Sequence, residues 1–235
     1  MTEIMNSLPK TARVAGLLYL AIVITGLFNL IYVPSKLIVR GNATETAANI
    51  LAHQTLYRVD VAVSLVSIII FLFLVLALYR LLKDVNQQLA AIMVILVMVQ
   101  IPQGFVSQVL QLGALELSRG AGFLSAIDKG QRDVLAMLCL RLNDQATYLS
   151  EMFWGIWLLP LGLLVYRSSF LPRTLGVWLI VNCCAYVALS FTGLLFPDQV
   201  GVMSLITLPA LLGEMAFTLW LVFVGVRARP ATTAA

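Results

Sequence analysis

Two glutamates that lie inside apolar segments are the residues of this chain best placed to carry chemistry. Glu214 falls in an apolar run over residues 205–226, and a helix of about 20 apolar residues crosses the hydrocarbon core of a bilayer. A carboxylate at that depth costs about 3 kcal/mol to insert, so it usually faces other protein or a water-filled cavity. Sheltered in this way, a carboxyl group can bind a cation or a small polar molecule, or exchange protons near neutral pH.

Glu151 begins a second copy of the sequence around Glu214. The segments 151–157 and 214–220 both start with Glu-Met and carry an aromatic residue three positions later and a Trp six positions later. These copies indicate either a duplicated helical hairpin or two unrelated short sequences that are similar because both meet the same requirements at the membrane interface. Trp154, in the first copy, could line a site beside Glu151, although Trp residues more often anchor span ends or pack.

A stripe of amide side chains on the third apolar segment offers partners for these carboxylates. Its polar and small residues fall within about 140° of arc at 100° per residue. They are Gln100, Gln103, Gly104, Ser107, Gln108 and Gln111. We expect this stripe to face both glutamates around an outward-open polar pocket. The predicted ligand-binding residues are Glu151, Glu214, Gln100, Gln103, Ser107, Gln111 and Trp154.

A structural role for the carboxyl groups is the main alternative. Protonated glutamates could hydrogen-bond neighbouring helices and stabilise them by about 1 kcal/mol each. In that case the chain would be a non-transporting sensor or assembly module. Asp60 opens the second predicted span, where a carboxylate favours the positive end of a helix dipole.

The sequence lacks the recognisable motifs of catalytic sites. Its single histidine, His53, lies in a predicted connection, and no His or Cys cluster has the spacing of a zinc site. No Gly-x-Ser-x-Gly string or Ser–His arrangement is present. An enzyme that uses Glu151 and Glu214 as a carboxylate pair is a third hypothesis. We therefore expect no enzymatic activity, no metal and no cofactor.

The composition determines what must surround these residues. Hydrophobic residues make up 61% of the 235 residues and charged residues only 11%, whereas about a quarter of the residues in soluble domains are charged. So few charges exclude a water-soluble globule, and the partner of this surface is the lipid bilayer. The net charge of +4 is explained by membrane orientation, so no nucleic acid is expected. The oligomeric state is left open.

The predicted fold is all-α, a polytopic membrane helical bundle that forms a single transmembrane domain over residues 1–235. Six spans are expected at about 12–33, 59–82, 89–113, 146–166, 174–196 and 203–226. Two short outer-side helices are also expected. Asn42 and Glu45 have the spacing of a capping box at the start of one, and residues 131–144 are amphipathic. Each could lie on the surface or extend the next span.

Lys and Arg residues in short connections set the orientation. One side carries four basic pairs: Lys10 and Arg13, Arg80 and Lys83, Arg167 and Arg173, and Arg227 and Arg229. Cytoplasmic connections are enriched in Lys and Arg. We therefore predict that both termini are cytoplasmic and that the longer connections, 34–58 and 114–145, lie outside.

Three strings are similar to a known family. They are Ala12-Arg-Val-Ala-Gly-Leu-Leu-Tyr-Leu20, Leu78-Tyr-Arg-Leu-Leu82 and the stretch 162–176, which contains Arg-Ser-Ser-Phe-Leu-Pro-Arg-Thr-Leu-Gly. With them the chain resembles the bacterial multi-pass membrane proteins of the DUF 4386 family, from about residue 12 to 226. The resemblance implies a helical bundle in the bacterial inner membrane. It implies no catalytic residues, because the family has no assigned activity.

Overall fold

A computed structural model describes residues 2–226, with side chains from residue 8 onward. Every regular element in this range is helical. Six helical stretches are long and apolar enough to cross a membrane, as predicted. They are Leu8–Leu37, Gln54–Leu82, Gln87–Arg119, Lys129–Arg167, Arg173–Leu195 and Pro197–Val224. The all-α membrane fold with six spans is therefore confirmed.

Within residues 2–226, nine α-helices make up most of these stretches and their connections. They are α1 (Thr2–Leu27), α2 (Val33–Leu37), α3 (Ala43–Ala52), α4 (Gln54–Leu82), α5 (Gln87–Arg119), α6 (Lys129–Ile156), α7 (Leu158–Arg167), α8 (Arg173–Leu195) and α9 (Val200–Leu219). Two π-helical turns, Phe28–Tyr32 and Trp220–Val224, follow α1 and α9.

Several helices extend beyond the predicted spans, because hydropathy marks only the apolar part of a helix. α4 begins at Gln54 rather than at residue 59, and α5 continues to Arg119 rather than to residue 113. The longer α4 changes the position of Asp60. It lies beyond the first turn and is only 4% exposed, so the prediction of a carboxylate at a helix N-terminus was wrong.

The two elements predicted to lie on the outer side have different structures. The Asn42 side chain accepts a hydrogen bond from the backbone N–H of Glu45 at 3.0 Å and donates one to the Glu45 carboxylate at 2.9 Å. This capped start makes α3 a separate helix. The amphipathic segment 131–144 is instead the first half of α6 and extends the fourth span.

Prolines and a glycine account for the irregular turns. Pro160 has no N–H to donate and crowds the carbonyl four residues earlier, at Ile156, where α6 ends. Pro34 likewise has no N–H to donate and crowds the carbonyl of Leu30, which lies inside the first π-helical turn. The second π-helical turn ends at Gly225, whose N–H reaches the Trp220 carbonyl at 2.8 Å with a φ of +69°.

The chain forms two compact units, each built from several segments. The first unit comprises Met1–Ala21, Ile70–Gln100 and Leu149–Ala235, and the second comprises Ile22–Ile69 and Ile101–Tyr148. In the first unit, α8 packs against both α7 and α9. The α8–α9 contact includes a hydrogen bond at 3.1 Å from the Trp178 indole N–H to the Pro209 carbonyl.

The second unit has an apolar core formed by residues of α2 to α6. Its buried members are Val33, Leu37, Ile50, Tyr57, Val61, Ala114, Leu115, Ala136 and Leu140. Thr46, a buried residue of α3, binds the connection that precedes this helix. Its hydroxyl accepts a hydrogen bond from the Val39 N–H at 3.0 Å and donates one to the Val39 carbonyl at 3.2 Å. This pair of bonds satisfies the backbone of a residue outside the helices.

Candidate functional site

The Glu214 carboxyl group is the centre of a hydrogen-bonded cluster in the first unit. α1 supplies Tyr19, whose hydroxyl donates to Glu214 Oε1. α8 supplies Asn182, whose amide Nδ2 donates to Glu214 Oε2 at 3.2 Å. Tyr19 is 2% exposed and Asn182 is fully buried. Three helices of the first unit therefore meet at one carboxyl group.

Tyr186 lies beside the Glu214 carboxyl group. It is one helical turn after Asn182 on α8, and its hydroxyl is close enough to Glu214 for an electrostatic interaction. Tyr186 also lies close enough to Glu151 for an electrostatic interaction. Both predicted glutamates therefore lie within electrostatic range of the same tyrosine. We call Tyr19, Asn182, Tyr186 and Glu214 the carboxyl cluster.

Aromatic rings surround the carboxyl cluster. The ring centroid of Tyr19 lies 6.1 Å from that of Trp157 and 6.2 Å from that of Phe217. The ring of Trp154 meets that of Tyr186 edge to face, with centroids 6.2 Å apart. Trp154 therefore contacts the cluster through Tyr186, and the aromatic rings limit the access of water to it.

Three buried oxygen atoms near these residues have no hydrogen-bond partner. They are Oδ1 of Asn182, Oε2 of Glu151 and Oε1 of Gln100. The Gln100 amide donates to the Phe153 carbonyl at 3.3 Å, which ties it to the helix that carries Glu151. Buried polar atoms in native proteins are normally paired with protein or water. All three atoms are hydrogen-bond acceptors. A ligand that donates hydrogen bonds or carries a positive charge would therefore satisfy them.

The remaining predicted residues belong to the second unit. Gln103 donates to the Ala146 carbonyl at 2.7 Å, and the Gln111 backbone carbonyl accepts from the Tyr57 hydroxyl at 2.9 Å. Ser107 is half-buried on the same helix. The glutamine stripe is therefore shared between the two units. A single pocket lined by the whole stripe and both glutamates stays a prediction.

Sequence reasoning missed the residues that bind Glu214. Tyr19 resembled an ordinary aromatic residue of an apolar span, and its contact joins positions that are distant in sequence. A signal did exist for the other two. Asn182 and Tyr186 are four residues apart in the middle of a mainly apolar helix, and this spacing puts two polar groups on one face.

No group of three or more His, Cys, Asp and Glu side chains arranged to hold a metal ion occurs within residues 2–226.

Comparison with known proteins gives a family match. The family model described as "Domain of unknown function (DUF4386)" matches residues 14–225, which is most of the chain. No curated protein and no solved structure matches.

Proposed function

This chain belongs to the DUF4386 family, and from that premise we propose that it binds, and moves across the bacterial inner membrane, a proton or a small cationic ligand at the carboxyl cluster. The observation that carries the proposal is the set of partners around Glu214. The Tyr19 hydroxyl and the Asn182 amide donate to this carboxyl group, the Tyr186 hydroxyl lies close to it, and all three groups are neutral.

Neutral donors leave the charge of an ionised Glu214 without a counter-charge. Neither ion pair found in the described part of the chain, Arg119–Glu116 or Lys129–Asp133, includes Glu214. An intramembrane carboxylate is normally paired, protonated or placed on an ion or substrate pathway. A proton or a ligand cation would supply the missing positive charge.

Asn182 extends the argument from charge to hydrogen bonding. Its amide nitrogen is engaged by Glu214, while its oxygen is buried without a partner. A ligand with N–H or O–H donors would satisfy this oxygen while it binds the carboxylate. A purely structural carboxyl cluster needs no such acceptor, and an unpaired buried acceptor costs about 1–3 kcal/mol.

The test uses the proton as the probe. Purified protein is placed in liposomes that contain a pH-sensitive dye, and a potassium diffusion potential drives proton entry. We expect wild type to acidify the interior faster than protein-free liposomes. Glu214→Gln should remove this difference, and Glu116→Gln, which alters a half-exposed carboxylate paired with Arg119, should keep it.

Infrared spectroscopy separates binding from transport in the same samples. Without proton flux, a protonated-carboxyl band that titrates in wild type and disappears in Glu214→Gln would support binding alone. If wild type shows neither flux nor such a band, the proposal is wrong, and the carboxyl cluster only holds helices together.

Both termini are proposed to be cytoplasmic. The support is the distribution of basic residues, with Arg80 in the last turn of α4, Arg167 ending α7 and Arg173 beginning α8. A reporter active only in the periplasm, fused after residue 226, should be inactive in a bacterial host. The same reporter inserted at Gly41, between α2 and α3, should be active. The reverse pattern would overturn the orientation.

A further inference from the structure

Asp60 is a buried carboxylate that the carboxyl cluster does not use. It lies on α4 in the second unit and is 4% exposed, and its Oδ1 atom has no hydrogen-bond partner. The ion pairs of the described residues do not include it. A buried charge without a partner is unfavourable in any protein interior. Asp60 therefore requires an explanation from the groups that face it.

The first facing group comes from α5. The Tyr57 hydroxyl donates to the Gln111 carbonyl, and a methyl group added at Gly104 would lie 2.9 Å from Cδ1 of Ile68. These two contacts show that α4 and α5 run antiparallel. Asp60 lies one turn after Tyr57, and Gln108 lies about one turn before Gln111. The Asp60 and Gln108 positions are therefore at the same level.

Gln108 has the same unusual feature as Asp60. It is 9% exposed, and its Oε1 atom is buried without a hydrogen-bond partner. The next residue on this face, Gln111, also has a buried and unpartnered Oε1. Two unpartnered amide oxygens thus belong to residues of α5 that are at the level of Asp60 or within one turn of it.

A third oxygen comes from α6. Gln103 donates to the Ala146 carbonyl, and a methyl group added at Gly113 would lie 3.7 Å from Sγ of Cys139. On α5, Gln108 is midway between Gln103 and Gly113. On α6, Asn143 lies between Cys139 and Ala146. Oδ1 of Asn143 is also buried without a hydrogen-bond partner.

Tyr57 relates Asp60 to α6. Tyr57 lies close enough to interact electrostatically with both Asp60 and Cys139. Asn143 is four residues after Cys139, on the same face of α6. Three helices of the second unit therefore present unpartnered oxygen atoms at one level.

The chemistry of these oxygens favours one class of ligand. Alkali and alkaline-earth cations take oxygen ligands from carboxylates and amide carbonyls. A single carboxylate with neutral oxygens balances one positive charge. A proton would satisfy Asp60 alone and would leave the amide oxygens unpaired. We propose that Asp60, Gln108 and Asn143 form a binding site within the second unit for one monovalent metal cation, for which sodium is the probe.

The site is separate from the carboxyl cluster, which consists of other residues in the first unit. The sodium proposal therefore does not depend on the function proposed for Glu214. Failure of proton binding at Glu214 would leave it unchanged.

Thermal unfolding with sodium, potassium or N-methylglucamine chloride at equal ionic strength tests the proposal. A ligand that binds only the folded state raises the melting temperature. We expect saturating sodium to raise it by about 5 °C over N-methylglucamine in wild type. Asp60→Asn should remove the difference. The matched control is Asp144→Asn, the same change at an exposed position of the same unit, and it should keep the difference.

Binding of radioactive sodium to the purified protein provides a second measurement. Wild type and Asp144→Asn should bind about one ion per chain, displaced by unlabelled sodium. If Asp60→Asn fails to fold, Gln108→Met replaces it, since this change removes one oxygen ligand and keeps the charge. Gln108→Met should weaken sodium binding at least tenfold. Wild type without sodium binding, or folded Asp60→Asn with unchanged binding, would overturn the proposal.

Discussion

Gly162 of α7 and Gly176 of α8 bring the backbones of these two helices into direct contact. A methyl group added at Gly162 would lie 2.8 Å from the Gly176 carbonyl oxygen, and one added at Gly176 would lie 2.7 Å from the Gly162 carbonyl oxygen. Small residues allow this approach between helices in a membrane, where van der Waals packing drives association. Gly16 of α1 has a similar place, since a methyl group there would lie 2.8 Å from the Val222 nitrogen.

Gly176→Ala should destabilise the protein by about 1–3 kcal/mol, because the added methyl group must push two backbones apart. The control is Gly26→Ala, where a methyl group would meet nothing within 4 Å and where alanine favours the helix. Thermal unfolding of both variants measures the difference. Equal melting temperatures for the two variants would show that the α7–α8 contact can relax without cost.

Tyr19→Phe should destabilise the first unit by about 1–3 kcal/mol, because it removes a hydrogen bond to a carboxyl group. The effect should largely disappear in a Glu214→Met background, since methionine offers the Tyr19 hydroxyl no side-chain oxygen to which it can donate. Denaturant unfolding of the four proteins in this cycle measures the coupling. Tyr32→Phe, at a tyrosine that is 48% exposed, is the control. Additive effects of Tyr19→Phe and Glu214→Met would contradict the structure.

Thr46→Val should destabilise the second unit by about 1–3 kcal/mol. The substitution keeps the shape of a side chain that is 1% exposed but removes the hydroxyl that pairs with both backbone groups of Val39. Hydrogen exchange of the Val39 amide should accelerate. Thr44→Val, at an exposed position in the first turn of α3, should leave this exchange unchanged, and equal exchange in both variants would count against the role of Thr46.

The sequence alone was sufficient for the membrane fold. Six apolar runs predict six helices because a bilayer leaves a spanning backbone few other ways to satisfy its hydrogen bonds. The cap formed by Asn42 and Glu45 was also predictable, because it involves neighbours along the chain. The helix ends were less accurate, as at Gln54, because a polar sequence can continue a helix without a change in its backbone bonds.

Local pattern also identified Glu214 and Glu151, since a carboxylate in an apolar run is visible without a structure. It did not identify Tyr19 and Asn182 as the partners of Glu214. These contacts join residues 195 and 32 positions apart in the chain, and they depend on which helix faces which. In a membrane span that choice rests on close packing at glycines and on pairing of polar groups, and only the tertiary structure decides it.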